Sequence, residues 1–317
     1  MGSTSSRVGS APSRGGSAPS RGGGSRAKGG VVVVGAGRLG TALARALAAR
    51  GYEVRALVSR TAAHARRAAG RAGLDALALG ANQLGRLPPS ELIFITTPDG
   101  LVAETAGRLA ALPSLGARVA LHASGALSSE ALAPLRARGV RTGSMHPLAS
   151  VSDADAGAER LRGAFYCVEG EPAARAAARR VVRDLGGESF AVESRHKPLY
   201  HAAAVMTAGH VVALFDLALH TLARCGLPER RAQAVLLPLL RSVVGNLSTR
   251  TTRGALTGSF ARGDVETVRK HLAALGRLGE TDALEVYRLL GERSLRIAGR
   301  AGADGAAAAE IRRALKS

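Results

Sequence analysis

The stretch VVVVGAGRLG, residues 31–40, decides how the rest of the chain is read. Four consecutive valines suit a short strand buried on both faces. Gly35, Gly37 and Gly40 follow in GxGxxG spacing, and RLGTALARALAARG from Arg38 has the apolar spacing of a helix. In that strand–turn–helix context each glycine has a task. Gly35 permits the tight turn, Gly37 lets the backbone approach a pyrophosphate, and Gly40 lets the helix pack closely on the strand. The helix N-terminus offers free N–H groups to negative charge. Ala36, Arg38 and Leu39 complete the turn that would face a dinucleotide.

The pattern continues outward. EVRALVS (53–59), ELIFITTP (91–98), ARVALHASG (117–125), GVRTGSMHP (139–147), AFYCVEG (164–170) and ESFAVE (188–193) read as strands. Helical segments lie between most of them, 128–138 and 172–185 included. Alternation with short links predicts an α/β Rossmann domain over residues 30–193, its sheet doubly wound and mostly parallel. From residue 194 the strands stop. Helices are expected at 196–224, 228–248, 264–276, 280–299 and 305–316, with a loop over 254–263, so 194–317 reads as an all-α substrate and dimerisation domain. Residues 1–29 repeat GSAPSRG from Gly9 and again from Gly16, and their Gly, Ser, Pro and Arg content predicts a disordered tail.

The chain holds 40 arginines against four lysines, and its formal net charge is +20. Nucleic-acid binders cluster such charge and interleave aromatics for stacking. Here arginine is scattered over every segment and only 3% of residues are aromatic, so no nucleic-acid partner is expected. The positive field instead favours small anionic substrates and cofactors. Cys167 and Cys225 stand far apart without CxxC spacing, which predicts free thiols and no metal site. No uncharged apolar run reaches 18 residues. AAAVMTAGHVVALFDLALH (202–220) carries His210 and Asp216 and reads as a buried helix. No signal peptide is visible either, so a cytoplasmic protein without a membrane span is expected.

The cofactor variant is read at the end of the second strand. An NAD site places an acid there for the ribose hydroxyls, but LVSRTAAHARR offers Ser59, Arg60 and Thr61 and no acid. Arginine and hydroxyls suit a 2′-phosphate, which makes NADP(H) the expected cofactor. Thr97 and Pro98 leave the 91–98 strand where the chain would pass the nicotinamide ribose, and Asp99 could be no more than a helix cap. His122 and Ser124 follow one strand, Ser144 and His146 sit at the end of the next, and His122 is placed with the cofactor. Lys197 stands four residues before His201 on one helix face. A lone histidine in such a place is more often a satisfied, half-buried side chain. Convergence of all of them on the carboxyl edge of the sheet argues for chemistry.

VVVVGAGRLG, LHASGAL (121–127), GSMHPL (143–148), KPLYHAAAV (197–205) and ALTGSFARGDVETVRKHLAAL (255–275) together resemble a two-domain bacterial oxidoreductase family. Its members join a Rossmann-like N-terminal domain to a helical C-terminal domain of unknown function. The family is similar in architecture to the 6-phosphogluconate dehydrogenase superfamily, which includes ketopantoate and pyrroline-5-carboxylate reductases. The resemblance covers residues 30–300 and implies reduction of a 2-oxo acid, with 2-dehydropantoate to pantoate as one candidate reaction. In the superfamily's hydroxyacid dehydrogenases a helical Lys-x-x-x-Asn pair works on the substrate. Lys197 and His201 fall at that spacing with His in place of Asn. ALTGSFARGD has the family's loop shape with Ser259 where Pro is expected, and Thr257, Arg262 and Asp264 would close a substrate pocket with Ser144.

The chemistry implied is hydride transfer to a carbonyl carbon, with negative charge growing on its oxygen. An ammonium aimed at that oxygen stabilises it and can donate the proton, whereas arginine effectively cannot. Lys197 is therefore the expected acid, with His201 or His146 orienting it or relaying a proton and Ser124 beside them. The reading is an NADPH-dependent reductase of a small carboxylated carbonyl compound. A cyclic-imine reductase and a non-catalytic NADP-binding sensor or scaffold are the alternatives. Long Ala-rich apolar faces in 194–317 predict a homodimer through the helical domain.

Overall fold

A computed structural model of the chain describes residues 28–279, 281–300, 302 and 304–317. The tail expected over 1–29 thus lies outside the described residues, except that Lys28 and Gly29 already belong to the first strand.

The first half alternates as β1 (Lys28–Val34), α1 (Arg38–Ala48), β2 (Tyr52–Ser59), α2 (Ala62–Ala72), β3 (Leu77–Gly80), β4 (Ser90–Ile95) and α3 (Asp99–Ala110). It continues with β5 (Ala117–His122), α4 (Ala133–Arg136), β6 (Arg141–Pro147), α5 (Ala154–Leu161), β7 (Phe165–Gly170), α6 (Pro172–Asp184) and β8 (Glu188–Phe190). The described residues form an eight-stranded sheet in the order β3-β2-β1-β4-β5-β6-β7-β8. Every pairing is parallel except β6 with β7. The four valines of β1 show why the sheet must be covered on both sides. Val31 and Val33 join a core with residues of α1, α5 and α6, while Val32 and Val34 join a second core with α3 and α4. All four are at most 4% exposed, each worth about 1.5–3 kcal/mol of burial.

The antiparallel pair places chemistry. Its register sets Ser144 opposite Glu169 and His146 opposite Cys167. The strands expected over 91–98 and 117–125 end at Ile95 and His122. Residues 96–98 and 123–125 leave the ladder at the carboxyl edge and are free to line a site there. Two elements were not foreseen, β3 and α5, both short and without strong apolar periodicity. The helix expected at 128–138 is a 3-10 turn, Ser129–Leu132, followed by the single turn α4. Pro134 lies in that first turn, where its missing N–H costs nothing.

Contacts divide the chain into two compact units, one through Ala202 and the other from Ala203, nine residues later than the expected boundary at 193/194. The helices are α7 (Lys197–Thr207), α8 (Gly209–Ala223), α9 (Glu229–Thr249), α10 (Thr252–Ala255), α11 (Ser259–Arg262), α12 (Val265–Leu278), α13 (Thr281–Gly299) and α14 (Gly305–Lys316). The single helix expected at 196–224 is α7 and α8, parted by Ala208 at φ −109°, ψ −77°. The loop expected at 254–263 contains most of the one-turn helices α10 and α11. Val268, Leu295, Ile311 and Leu315 form the core of α12, α13 and α14.

The expectation that 202–220 is buried is not met. Within it Met206, Val212 and Leu214 are 62%, 70% and 43% exposed. By length and composition alone, Ser194–Ala223 is apolar enough to cross a membrane, with mean hydropathy 1.8 and 6% of the window buried. His210 and Asp216 interrupt the segment, so it holds no uncharged apolar run of 18 residues.

Candidate active site

Backbone geometry at the β1–α1 turn explains the three glycines separately. Gly35 has φ +115°, where a side chain is strained, and its N–H donates to Val58 O at 2.9 Å. A Cβ on Gly40 would lie 2.1 Å from Gly35 O, so α1 can approach the turn only with glycine there. A Cβ on Gly37 would meet nothing within 4 Å, which leaves open space at the N-terminus of α1. No acid occupies the first turn of α1.

That space belongs to a cavity of about 470 Å³ lined by Gly35, Ala36, Gly37, Ser59, Arg60, Thr97 and Pro98, among others. Residues not singled out from sequence also line it: His64, Thr105, and Glu104 with Arg108. Arg108 donates to Ala81 O at 2.5 Å and so ties α3 to the turn after β3. Thr97 Oγ1 is buried and makes no hydrogen bond within the described residues, an unsatisfied donor at the wall of this cavity. An open glycine, uncapped helix N–H groups, an orphan hydroxyl and Arg60 with no acid beside it at the end of β2 fit a dinucleotide bearing a 2′-phosphate. Thr61 does not line the cavity. Its hydroxyl caps α2, accepting from the His64 N–H at 3.2 Å. Arg38 is exposed at the first residue of α1 and lines neither this cavity nor the next.

A second cavity, about 270 Å³, is lined by Leu39, Asp99, Ser124, Gly125, His146 and His201, with Ala123, Pro147, Ala149 and Val151. Pro98 lines the first cavity and Asp99 the second, so they meet at one turn of backbone. The His146 and His201 rings stand edge to face with centroids 5.4 Å apart. Burial, reinforced by the His201 and Lys197 charges, pushes the His146 pKa down to about 4. His201 Nδ1 is buried without a hydrogen-bond partner in the described residues. Ser124 is fully engaged: its hydroxyl donates to Asp99 Oδ2 at 2.8 Å and accepts from the Ala126 and Leu127 N–H groups.

Three expected site residues, His122, Lys197 and Ser144, lie behind this cavity, not in it. His122 is fully buried, its Nε2 3.0 Å from Ser128 O and its Nδ1 accepting from the Ser124 N–H at 3.2 Å. Burial and the Lys197 charge push its pKa down to about 4, and it shapes the 122–128 loop without facing the cofactor cavity. Lys197 is also 0% exposed. Its Nζ donates to Ser144 Oγ at 2.8 Å and to Ser124 O at 3.2 Å. Burial lowers its pKa, opposed by Cys167, Glu169 and Asp99. Ser144 is likewise fully buried and faces Lys197 and Glu169 instead of substrate space. Glu169 accepts from Ser129 N–H, Ser129 Oγ and Ser194 Oγ at 2.7–2.8 Å. Burial alone would raise its pKa, but these bonds and Lys197 outweigh it and hold the carboxyl below its usual range.

In the helical unit Asp264 is the N-cap of α12, accepting from the Thr267 N–H at 3.0 Å and Thr267 Oγ1 at 2.8 Å. Those bonds hold its carboxyl below the usual range and commit it to capping where a substrate contact was expected. Arg262 ends α11, and Thr257 lies just before that helix. Sequence reasoning missed Asp99, Tyr200 and Glu169 as site residues. A signal existed for Tyr200, which shares a helix face with Lys197 and His201 at i+3 and i+4.

Residues 17–147 match a Rossmann-like domain, and residues 164–294 match a domain of unknown function (DUF2520). No curated protein matches the chain. Among solved structures, a protein of Bacteroides fragilis described as a proposed NADP oxidoreductase is 22% identical, with TM-score 0.68 over 84% of this chain and 98% of that one. A protein of Thermotoga maritima is 24% identical, with TM-score 0.66 over 85% and 98%. A 1-pyrroline-5-carboxylate reductase of Streptococcus pyogenes is 11% identical, with TM-score 0.56 over 84% and 98%. At such identities the likeness is one of fold. The chain pairs a Rossmann-like domain with the helical domain of unknown function.

Proposed function

We propose that this chain is an NADPH-dependent reductase of a small compound bearing a polar double bond, C=O or C=N. The observation that carries the reading is the meeting of the two cavities at Pro98–Asp99, one fitted to a dinucleotide and the other lined by two imidazoles. When bound, the reduced nicotinamide supplies a hydride to the substrate carbon, while the heteroatom takes up one proton and NADP⁺ is left. Gly37 and the N-terminus of α1 would take the pyrophosphate, and Ser59 and Arg60 the 2′-phosphate. The NADP oxidoreductase description of the Bacteroides fragilis protein supports the same cofactor.

His146 and His201 line the substrate cavity and can hold or pass a proton there. Lys197, with no exposed surface, acts one step removed. Its Nζ–H bond to Ser124 O polarises the Ser124–Gly125 peptide, whose far side borders the cavity. A carboxylated carbonyl compound such as 2-dehydropantoate remains the first substrate class. A second reading, a cyclic imine, is favoured by Asp99. Its carboxylate lines the cavity while no Arg or Lys does among the described residues, and a protonated imine carries the complementary charge. The fold shared with a pyrroline-5-carboxylate reductase supports this reading as well. We further infer that the working form is a homodimer.

The test is NADPH oxidation, followed by absorbance, across a panel of 2-oxo acids including 2-dehydropantoate and cyclic imines including pyrroline-5-carboxylate. Oxidation with one class and not the other assigns the substrate. Binding of NADPH without oxidation by any member would instead support a sensor or scaffold.

A further inference from the structure

Tyr200 stands beside the substrate cavity, behind the His146 ring that lines it. Tyr200 Oη lies 2.6 Å from His146 Nδ1, on the side of the ring away from the cavity, and the rings stand edge to face at 5.6 Å. Phe190 packs edge-on against Tyr200 from the far side, with centroids 5.8 Å apart. His146 Nε2 points the other way. A Cβ placed on Gly125 would lie 2.9 Å from Nε2 and 2.3 Å from His201 Nδ1, so both rings converge on the space that glycine leaves open. Neither of those two nitrogens has a hydrogen-bond partner in the described residues.

We propose that Tyr200 is a positioning residue that holds His146 as the neutral Nε2–H tautomer, with that N–H aimed over Gly125 at the heteroatom of the substrate. The proposal rests on the reductase reading for the identity of the ligand and on the geometry for the tautomer. A neutral imidazole has one donor and one acceptor nitrogen, so a donor fixed on Nδ1 leaves the proton on Nε2. Tyr200 has one hydroxyl proton and two neighbours that compete for it, His146 Nδ1 at 2.6 Å and the Cys167 sulfur, whose hydrogen bond with the phenol pulls the thiol pKa down against burial. Burial raises the thiol pKa, so Cys167 stays an S–H group and a weak acceptor. The phenol, whose own pKa burial and Cys167 push up, keeps its proton and gives it to the better acceptor, the imidazole nitrogen. Burial first, then the His201, Lys197 and His122 charges, and against them Asp99, act on the His146 ring, and the balance leaves it uncharged at neutral pH. A neutral N–H so placed is a pre-aimed donor to an oxygen or nitrogen gaining electron density, ready without reorganisation.

The tautomer can be read directly from ¹⁵N–¹H long-range NMR of the histidine rings in the full-length protein. The expected spectrum has His146 Nε2 protonated and Nδ1 bare at pH 7. Tyr200→Phe should mix or invert the two forms while circular dichroism and NADPH affinity stay unchanged. Turnover should fall by about tenfold or more in kcat with little change in the KM for NADPH. His146→Gln, whose amide can present a donor near the Nε2 position, should keep at least about tenfold more turnover than His146→Asn, whose amide sits near Nδ1. A wild-type ring protonated at Nδ1, a Tyr200→Phe protein with an unchanged tautomer, or equal loss in the two His146 variants would each overturn the proposal. If the Nε2–H form is found but no panel member oxidises NADPH, the reductase reading fails, and the donor role falls with it.

Discussion

Lys197 buries its whole side chain against Ser144 and Ser124, behind the cavity whose acid it was expected to be. Its surroundings explain why lysine stands there in a chain that otherwise uses arginine. The site has acceptors for a single compact nitrogen and no room for a planar five-donor fork. Lys197→Arg should therefore overpack the site and cost about 1–3 kcal/mol. Lys197→Met keeps the volume, and because Glu169 retains its three serine hydrogen bonds, it should cost less than Lys197→Ala, for which about 2–5 kcal/mol is expected. Urea denaturation of the three variants checks the order. An arginine variant as stable as the parent protein would show that the pocket around Lys197 is looser than its zero exposure implies.

At the scale of elements, the β1–α1 unit separates two kinds of glycine. Gly40→Ala should destabilise the protein, because its Cβ meets Gly35 O at 2.1 Å and α1 would have to move off the sheet. Gly37→Ala should melt like the parent protein yet bind NADPH at least about tenfold more weakly, since its Cβ enters space reserved for the pyrophosphate. Thermal melts beside NADPH fluorescence titrations distinguish the two; equal loss of both properties in both variants would contradict the assignment. This unit was legible in VVVVGAGRLG because its determinants are local: β-branched residues, φ at Gly35, and a helix start. β3 and α5 were not, since four and eight residues carry too little periodicity to outweigh their loop-like composition. Asp99 had a local explanation as a cap, and nothing local reveals that it meets Ser124, 25 residues on, at 2.8 Å.

For the molecule as a whole, the exposed apolar residues of α7, α8 and α9 form the largest departure from expectation. Leu199, Met206, Val212, Leu239 and Val244 are each more than half exposed, beyond what a lone surface helix usually leaves to water. A second copy of the chain is the proposed cover. Sedimentation in detergent-free buffer should give a dimer at micromolar concentration, and Val212→Asp with Leu239→Asp should give a monomer or insoluble protein. A monomeric parent protein, or one that co-sediments with phosphatidylcholine vesicles, would contradict the dimer. Local sequence specifies the Rossmann-like order of strands and helices, the GxGxxG turn, the acid-free end of β2 and the switch to helices near residue 194. All of these rest on residue types and spacings within a few turns of chain. Tertiary structure alone decided the division of labour in the site: His146 and His201 at the cavity, Lys197 and His122 behind it, Asp264 in a cap, and Tyr200 on Nδ1. Burial and hydrogen-bond partnership come from segments 25 to 73 residues apart, and no local pattern encodes which face of a histidine or which end of a lysine will meet them.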